Sequence, residues 1–325
     1  MGTSPQELKV PNVIPGNMNS VLETYVSRID LGEPQRCKNI IVVPVFMTAN
    51  PSPEYLTLTE ALGQKQASIT EVSAAGTMPE VKVSNNSDLF LLLVDGEELV
   101  GARQNRTLNA SILLAGRSET IVPASCTERG RWRYQGGKAA FGDAGFVSPH
   151  KLRSFTSRSV SESLMRGLGH KSDQVGVWHH VALCGLSAGA SSPTSAMADV
   201  VTKMARELEE CLQQLKALPG QQGLAVLVNG TVVGVDLLSS ARAYQVLHPK
   251  LVRSYALGAL LDQKPFRVDQ PREQVAAFLE AFRGTNEQVH RSVGCGEDHR
   301  FAGNGLAGAA LVSEGHVLHM NLYRN

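Results

Sequence analysis

LLLVDGEELVG, residues 91–101, decides how this chain is read. An apolar run meets Asp95-Gly96, and a second apolar stretch follows. Asp-Gly suits a two-residue type I′ turn, because both central residues must take positive φ. AVLVNGTVVG (225–234) and AALVSEGHVLH (309–319) repeat the layout, with Asn or Ser ahead of the turn glycine. Three β-hairpins are therefore expected. Turn chemistry alone produces such a likeness, so it is weak ground for an internal duplication.

Outward from the first hairpin, residues 39 to about 126 are rich in short apolar or alternating runs bounded by Gly, Asn, Ser or Pro: IIVVPVF, ASITEVS, EVKVSN, ASILLAG and ETIVPASC. One helical piece, YLTLTEALGQK, interrupts them. Residues 1–38 read as a polar, proline-bearing arm with one short strand, VLETYVSRI. RGRWRYQGGKAAFGDAGFVSPH (129–150) has little periodicity and reads as a long loop, often a functional feature in a compact domain. Residues 154–218 read as helical. The clearest element is AMADVVTKMARELEECLQQLKA, with Met197, Val200, Val201, Met204, Leu208, Leu212 and Leu215 on one face. Proline followed by a helical pattern recurs at HPKLVRSYALGALLD and QPREQVAAFLEAFRG. Strands return at 223–238 and 308–323. The order is β-rich half, helical middle, then hairpins rejoining the sheet, without regular βαβ alternation. That order predicts an α+β fold, one domain over 39–325 with subdivision possible near 150 and 220.

Composition fits this. The 325 residues are 42% hydrophobic and 19% charged, as in a globular protein. A net charge of +1 speaks against a dedicated nucleic-acid or membrane-surface binder. The five cysteines are odd in number and form no CxxC pair, which fits a reducing compartment without a disulfide framework. The N-terminus lacks a signal-peptide pattern, and Gln6 breaks the myristoylation pattern. IIVVPVF is too short to span a bilayer. A soluble, cytoplasmic protein is expected.

Two catalytic look-alikes need weighing. GLSAG (185–189) fits the G-x-S-x-G nucleophile elbow around Ser187, and a serine hydrolase is the third functional reading. The elbow needs strand, serine, helix; here the helical pattern starts several residues late, so a capping loop is the plainer reading. GNGLAG (303–308) is formally a dinucleotide fingerprint, but a hairpin rather than a helix is expected after it. His179 and His180 are adjacent and point apart on regular structure. Glu297, Asp298 and His299 are the best polar cluster for a metal, and a solvated loop fits them better. No metal or cofactor is expected.

The most informative stretch is 101–138. Arg103, Arg106, Arg117, Arg129, Arg131, Arg133 and Lys138 face only Glu119 and Glu128, a net +5. Trp132 and Tyr134 alternate with Arg131 and Arg133. Guanidinium forks match phosphate or carboxylate oxygens, and flat rings stack bases. Gln104, Asn105 and Asn109 add amides that both donate and accept. The competing reading is charge balance, with Asp88, Asp95, Glu97 and Glu98 pairing against this block. Cys126 is a candidate nucleophile and Glu128 a candidate acid or base, against the commoner case of a buried structural cysteine.

VDGEELVGARQNRTLNASILLAGRSETIVPASCTERGRW resembles the signature of the ARPP-1 domain, an ARG- and rhodanese-phosphatase-superfamily-associated protein domain. The pattern is an apolar strand, D-G-E-E-L-x-G, Q-N-R-x-L-N, then V-x-C-x-E-x-G-R-W. QVGVWHHV and VNGTVVGVDLL resemble later segments, so the likeness spans roughly 40–325. His179 stands where the family pattern carries an acidic residue. The resemblance implies association with ADP-ribosylglycohydrolase-type and phosphatase-type proteins, hence NAD-derived or ADP-ribose-type nucleotides. It implies no established reaction. The expected function is binding or processing of a phosphate-bearing nucleotide. Arg106, Arg131 and Arg129 would hold phosphate, Gln104, Asn105 and Asn109 would read polar edges, and Trp132 would stack. Glu98, Cys126, Glu128 and Asp236 are the candidates for chemistry. The alternative is a non-catalytic interaction module. A nucleotide-like small molecule is the expected partner. No membrane is expected, nucleic acid is disfavoured, and a homo-oligomer stays open.

Overall fold

The computed structural model describes residues 20–48, 52–73, 79–134 and 139–325. Lys138 and the first half of the N-terminal arm, residues 1–19, lie outside them. Helix α1 (Ser20–Ser27) comes first, where a strand is expected from VLETYVSRI. Its buried residues Leu22, Tyr25 and Val26 follow helical spacing, and that single face decides the outcome. Strands β1 (Ile29–Leu31), β2 (Gln35–Cys37) and β3 (Ile40–Met47) follow. β4 (Tyr55–Thr57) leads into α2 (Leu58–Gly63), which starts at a reciprocal Thr57–Glu60 capping box. Next come β5 (Ala67–Thr70), β6 (Glu80–Asn85), β7 (Phe90–Leu93), β8 (Glu97–Gly101), β9 (Arg106–Leu108), β10 (Ile112–Leu114), β11 (Ser118–Cys126) and β12 (Ala140–Val147). β12 corrects the expected 129–150 loop: its Phe141 and Val147 are buried, and it pairs on both edges.

The helical middle holds α3 (His150–Met165), α4 (Gln174–Ala188), α5 (Met197–Lys203) and α6 (Ala205–Gln214). The long expected helix is thus two, parted at Met204, where ψ rises to 9°. After β13 (Gly223–Val228) and β14 (Thr231–Leu238) come α7 (Ala241–Leu260) and α8 (Pro271–Phe282). Pro271 opens α8 as expected, but Pro249 lies inside α7. Ser240 caps α7 before the proline, and burial of Tyr244, Leu247, Leu251 and Tyr255 outweighs the lost backbone bond. β15 (Asn286–Arg291), β16 (Glu297–Gly303), β17 (Leu306–Ser313) and β18 (His316–Arg324) end the chain.

The strands form three systems. A large antiparallel sheet runs β1-β3-β13-β14-β18-β17-β16-β15, with β2 also on β3. A closed barrel runs β11-β6-β5-β12-β8-β9, and β10-β7-β4 is a small separate sheet. Alternation along β13 explains the layering: Leu224 and Val226 face α5–α7, while Ala225 and Leu227 face α1 and α8. Both faces of the large sheet are therefore covered. Ile69, Val81, Val83, Leu99, Leu108, Val122 and Phe141 belong to the barrel core.

Two of the three expected hairpins form. Asn229-Gly230 joins β13 to β14 and Glu314-Gly315 joins β17 to β18, each with two positive φ angles. Asn304-Gly305 makes a further turn of this kind inside GNGLAG, so the strand β17 follows that motif and not a helix. LLLVDGEELVG does not form a hairpin. β7 pairs with β4 and β10, whereas β8 pairs with β12 and β9. Of the turn pair Asp95-Gly96 only Gly96 has positive φ, 80°, so the turn lacks the twist that keeps two strands paired and they splay into different sheets.

Arg153 on α3 fixes that splay. It donates twice to Asp236 on β14, at 2.6 and 2.9 Å, and to Asp95 in the turn at 3.3 Å. Tyr255 donates to Asp236 and Asn321 to Asp95. Breaking one partner of a buried pair strands a charge, which costs about 3–5 kcal/mol. Arg153→Met is expected to lower unfolding free energy by about that much, measured by urea denaturation; a loss under about 1 kcal/mol would remove the clamp from this account.

Candidate functional site

Eight of the candidate residues gather at one mouth of the barrel. Arg106 on β9 lies opposite Leu99 of β8 and Cys126 of β11, and directly opposed strand residues share a face. Leu99 belongs to the barrel core, so Arg106 and Cys126 project inward with it. The Arg106 side chain is fully buried. Its Nη1 donates to the Cys126 sulfur. Its Nη2 lies 3.6 Å from a Glu71 carboxylate oxygen, an ion-pair distance without a hydrogen bond. Nε and Nη2 of Arg106 have no hydrogen-bond acceptor among the described residues. The Trp132 ring covers the guanidinium at 5.7 Å and is itself 45% exposed. Burial pushes the Cys126 thiol up to about 11, against the pull of Arg106. Cys126 is thus a thiol and not a thiolate at neutral pH, which argues against nucleophilic duty in this arrangement.

Beside this lies an ion-pair lattice. Glu128 accepts four hydrogen bonds: Arg131 Nε and Thr194 Oγ1 on one oxygen, Arg131 Nη2 and the Asn105 amide on the other. Burial raises this carboxyl, but those donors outweigh it and leave it below the usual range. Arg131 also donates to the carbonyls of Gly101, Ala102 and Arg133 and to Asn105 Oδ1. Glu128 and Arg131 are therefore committed to holding the segment after β11, a structural use that competes with proton transfer and phosphate binding. They floor a cleft of about 790 Å³ with Arg133, Tyr134, Thr194 and Asp199 on its walls. Gln104 donates to the Arg129 carbonyl, and its buried Oε1 has no partner among the described residues. The Arg129 side chain is exposed, 5.5 Å over the Trp178 ring. Arg103 spans the Trp132 and Tyr134 rings at 5.9 and 4.6 Å.

Glu98, Asn109 and Asp236 are not at this mouth. Glu98 opposes Thr107, which opposes Ser125, so this row faces out of the barrel. Asn109 accepts from Ser125 and donates to the His170 carbonyl. Asp236 is held in the Arg153 clamp. Alternate residues of one short strand point to opposite sides, so sequence proximity to Arg106 was a poor guide. Glu71 and Thr194, unforeseen from the sequence, do contact the cluster. Glu71 follows an ordinary strand pattern and Thr194 sits in a Gly/Ser-rich stretch, so neither carried a signal.

The remaining motifs resolve simply. Ser187 lies on the last turn of α4, so no strand precedes it and the nucleophile elbow is not formed. His179 is exposed on the same helix. His299 is flanked by Glu287 on Nδ1 and Glu297 on Nε2, while Asp298 turns to His170 and Arg300. Those carboxylates do not converge, and among the described residues no group of three His, Cys, Asp or Glu is arranged for a metal. No described helix is long and apolar enough to cross a membrane.

Burial pushes the Glu98 carboxyl up to about 8, with only the Ser148 and Thr127 hydroxyls opposing it. The folded state holds this proton more tightly than the unfolded chain does. The resulting stability is full below the ordinary glutamate range and is lost as pH rises toward about 8. Glu98→Gln, which cannot ionise, should therefore gain melting temperature relative to the parent between pH 5 and pH 8. An unchanging difference would show that Glu98 does not titrate there.

The family model of the ARG and Rhodanese-Phosphatase-superfamily-associated Protein domain, ARPP-1, matches residues 28–323. No curated protein and no solved structure matches. The match takes in the barrel, the helical layer and the large sheet together, and the chain belongs to the ARPP-1 domain family.

Proposed function

We propose that the barrel mouth binds the phosphate-bearing part of a nucleotide-like small molecule of the ADP-ribose or NAD-derived class. The observation that carries this reading is Arg106, a fully buried guanidinium with two nitrogens lacking acceptors. A buried donor without a partner costs about 1–3 kcal/mol, more when charged. A phosphate oxygen pair would satisfy Nε and Nη2 together, since the guanidinium fork matches it. Trp132, already lying over Arg106, offers an exposed ring face for a base. The unpartnered Gln104 Oε1 could accept from a ribose hydroxyl or an exocyclic amine. At the rim, Arg129 and Arg133 have no carboxylate within ion-pair distance among the described residues, which leaves positive charge to guide an anion.

A protein-interaction module is the second reading, and α4 favours it. Its 15 residues carry no charge, and Val175, Leu183 and Leu186 are exposed on it.

A thermal-shift screen of NAD, ADP-ribose, AMP and inorganic phosphate separates the two. A ligand at a hundredfold excess over Kd stabilises the folded state by about 2.7 kcal/mol. A rise with ADP-ribose or NAD is expected, and Trp132→Ala should weaken it by about 1–3 kcal/mol, the worth of one stacked base. A flat response across the set would shift the assignment to the interaction module. Arginine variants separate binding from scaffolding at the same place. Arg131→Ala should lower ligand-free stability by about 3–5 kcal/mol, because it strands Glu128. Arg133→Ala, on the surface, should change it by no more than about 0.5 kcal/mol while weakening the ligand. The reverse pattern would mean that the lattice and rim roles have been exchanged.

A further inference from the structure

Cys37 and Cys211 are 174 positions apart in sequence (211 − 37), yet the fold packs their elements together. Cys37 ends β2 and Cys211 lies on α6, both buried in the core beneath the large sheet. Both side chains belong to one buried cluster, and β2 packs against α6 there. Flanking bonds hold this approach. Gln35 donates to the Lys216 carbonyl at 2.9 Å and accepts from the Lys216 amide at 2.6 Å. Lys38 pairs with Glu210 at 3.1 Å. The other cysteines sit elsewhere: Cys126 in the barrel mouth, Cys184 on α4, and Cys295 between β15 and β16.

We propose that Cys37 and Cys211 are a redox modification site, a dithiol that a peroxide converts to a disulfide. The peroxide oxidises one thiol to a sulfenic acid and is itself reduced, releasing one water. The second sulfur then displaces the sulfenic oxygen as another water, and the S–S bond forms. Two thiols thus lose two hydrogens while hydrogen peroxide gains them, and a dithiol reductant reverses the change. The pair is shielded but not locked away. β2 has three residues and, among the described residues, pairs with one strand, β3, and Arg36 at its centre is exposed. Short edge strands of this sort open locally at low cost. Burial, and then the neighbouring thiol, push Cys211 up to about 12, so its sulfur stays unreactive until that edge opens. The disulfide would staple α6 to the sheet. α6 continues from α5, whose Ala198 and Asp199 line the cleft above Glu128, so the staple would also stiffen that wall. The inference does not depend on what the cleft binds.

The test is non-reducing peptide mapping of the full chain, folded, before and after hydrogen peroxide. A linked pair of peptides carrying Cys37 and Cys211 is expected, lost on dithiothreitol treatment. The oxidised protein should melt higher by on the order of 5 °C. Cys37→Ala and, separately, Cys211→Ala should abolish both effects, while Cys184→Ser keeps them. Melting of each reduced variant shows that it is folded, and either one suffices. Thiols consumed without this link, or the link forming only after unfolding in urea, overturns the proposal.

Discussion

One guanidinium determines how the β-systems of this protein meet. Arg153 lies fully buried between Asp236 of the large sheet and Asp95 of the turn that feeds the barrel. Burial alone would raise the Asp236 carboxyl, yet the attraction of Arg153 holds it down to about 2. Two carboxylates and one arginine would leave net negative charge in the interior. His319 lies against both acids, at 3.3 Å from Asp236 and 3.6 Å from Asp95, and offers a second donor. The turn is shaped to this demand. A Cβ on residue 96 would fall 2.8 Å from Arg153 Cγ, and its φ of 80° already disfavours other residues. Gly96 is needed because an arginine passes over the backbone, not because two strands reverse there.

The same clamp explains the charge at the barrel mouth. Drawing the turn inward buries Asp95, Glu97 and Glu98, and each is satisfied by groups other than the arginines of the basic block. Asp95 takes Arg153, Glu97 takes Lys250 at 2.8 Å, and Glu98 takes hydroxyls only. Of Asp88, Asp95, Glu97 and Glu98, Asp88 alone pairs with an arginine of 101–138 among the described residues, with Arg117 on the exposed surface. The remaining guanidiniums divide. Arg131 is saturated by Glu128 and carbonyls, Arg106 is buried and half satisfied, and Arg129 and Arg133 face solvent. A nearly neutral chain acquires a positive face because its neighbouring acids were recruited into the core.

The sequence conveyed what local chemistry controls. Asn229-Gly230 and Glu314-Gly315 turn as expected because their backbone needs are met within two residues. The α+β order is borne out, since period-two and period-3.6 patterns survive in any context. Failures arose where distant groups decide. Asp95-Gly96 reads like any hairpin turn until Arg153 and Asp236 are brought to it. VLETYVSRI offers β-branched residues that suit a strand, and burial on one face makes it α1. The glycine-rich stretch before β12 conceals Phe141 and Val147, whose partners on β5 and β8 precede them by dozens of residues. At the site, residue types were legible and directions were not. Arg106, Cys126 and Trp132 converge, while Glu98 and Asn109 point out of the barrel because the register of β8, β9 and β11 sets their face.

Arg153 and Arg106 explain why the proposed ligand is assigned to the barrel mouth and not to the deeper polar network. Both guanidiniums are fully buried. Arg153 spends its donors on two carboxylates, and Asp236 receives Tyr255 as well, so the clamp is closed chemistry with nothing left to offer. Arg106 has a sulfur on one nitrogen and an acid 3.6 Å from another. If Arg106 served only to fill the barrel, an apolar side chain of similar volume beside Leu99 and Leu108 would serve as well or better, because buried ion pairs are often neutral or unfavourable against such replacements. A guanidinium that is desolvated but incompletely bonded destabilises the protein without a ligand and stabilises it with one. That asymmetry is what a binding site requires, since only interactions made with the ligand contribute to holding it.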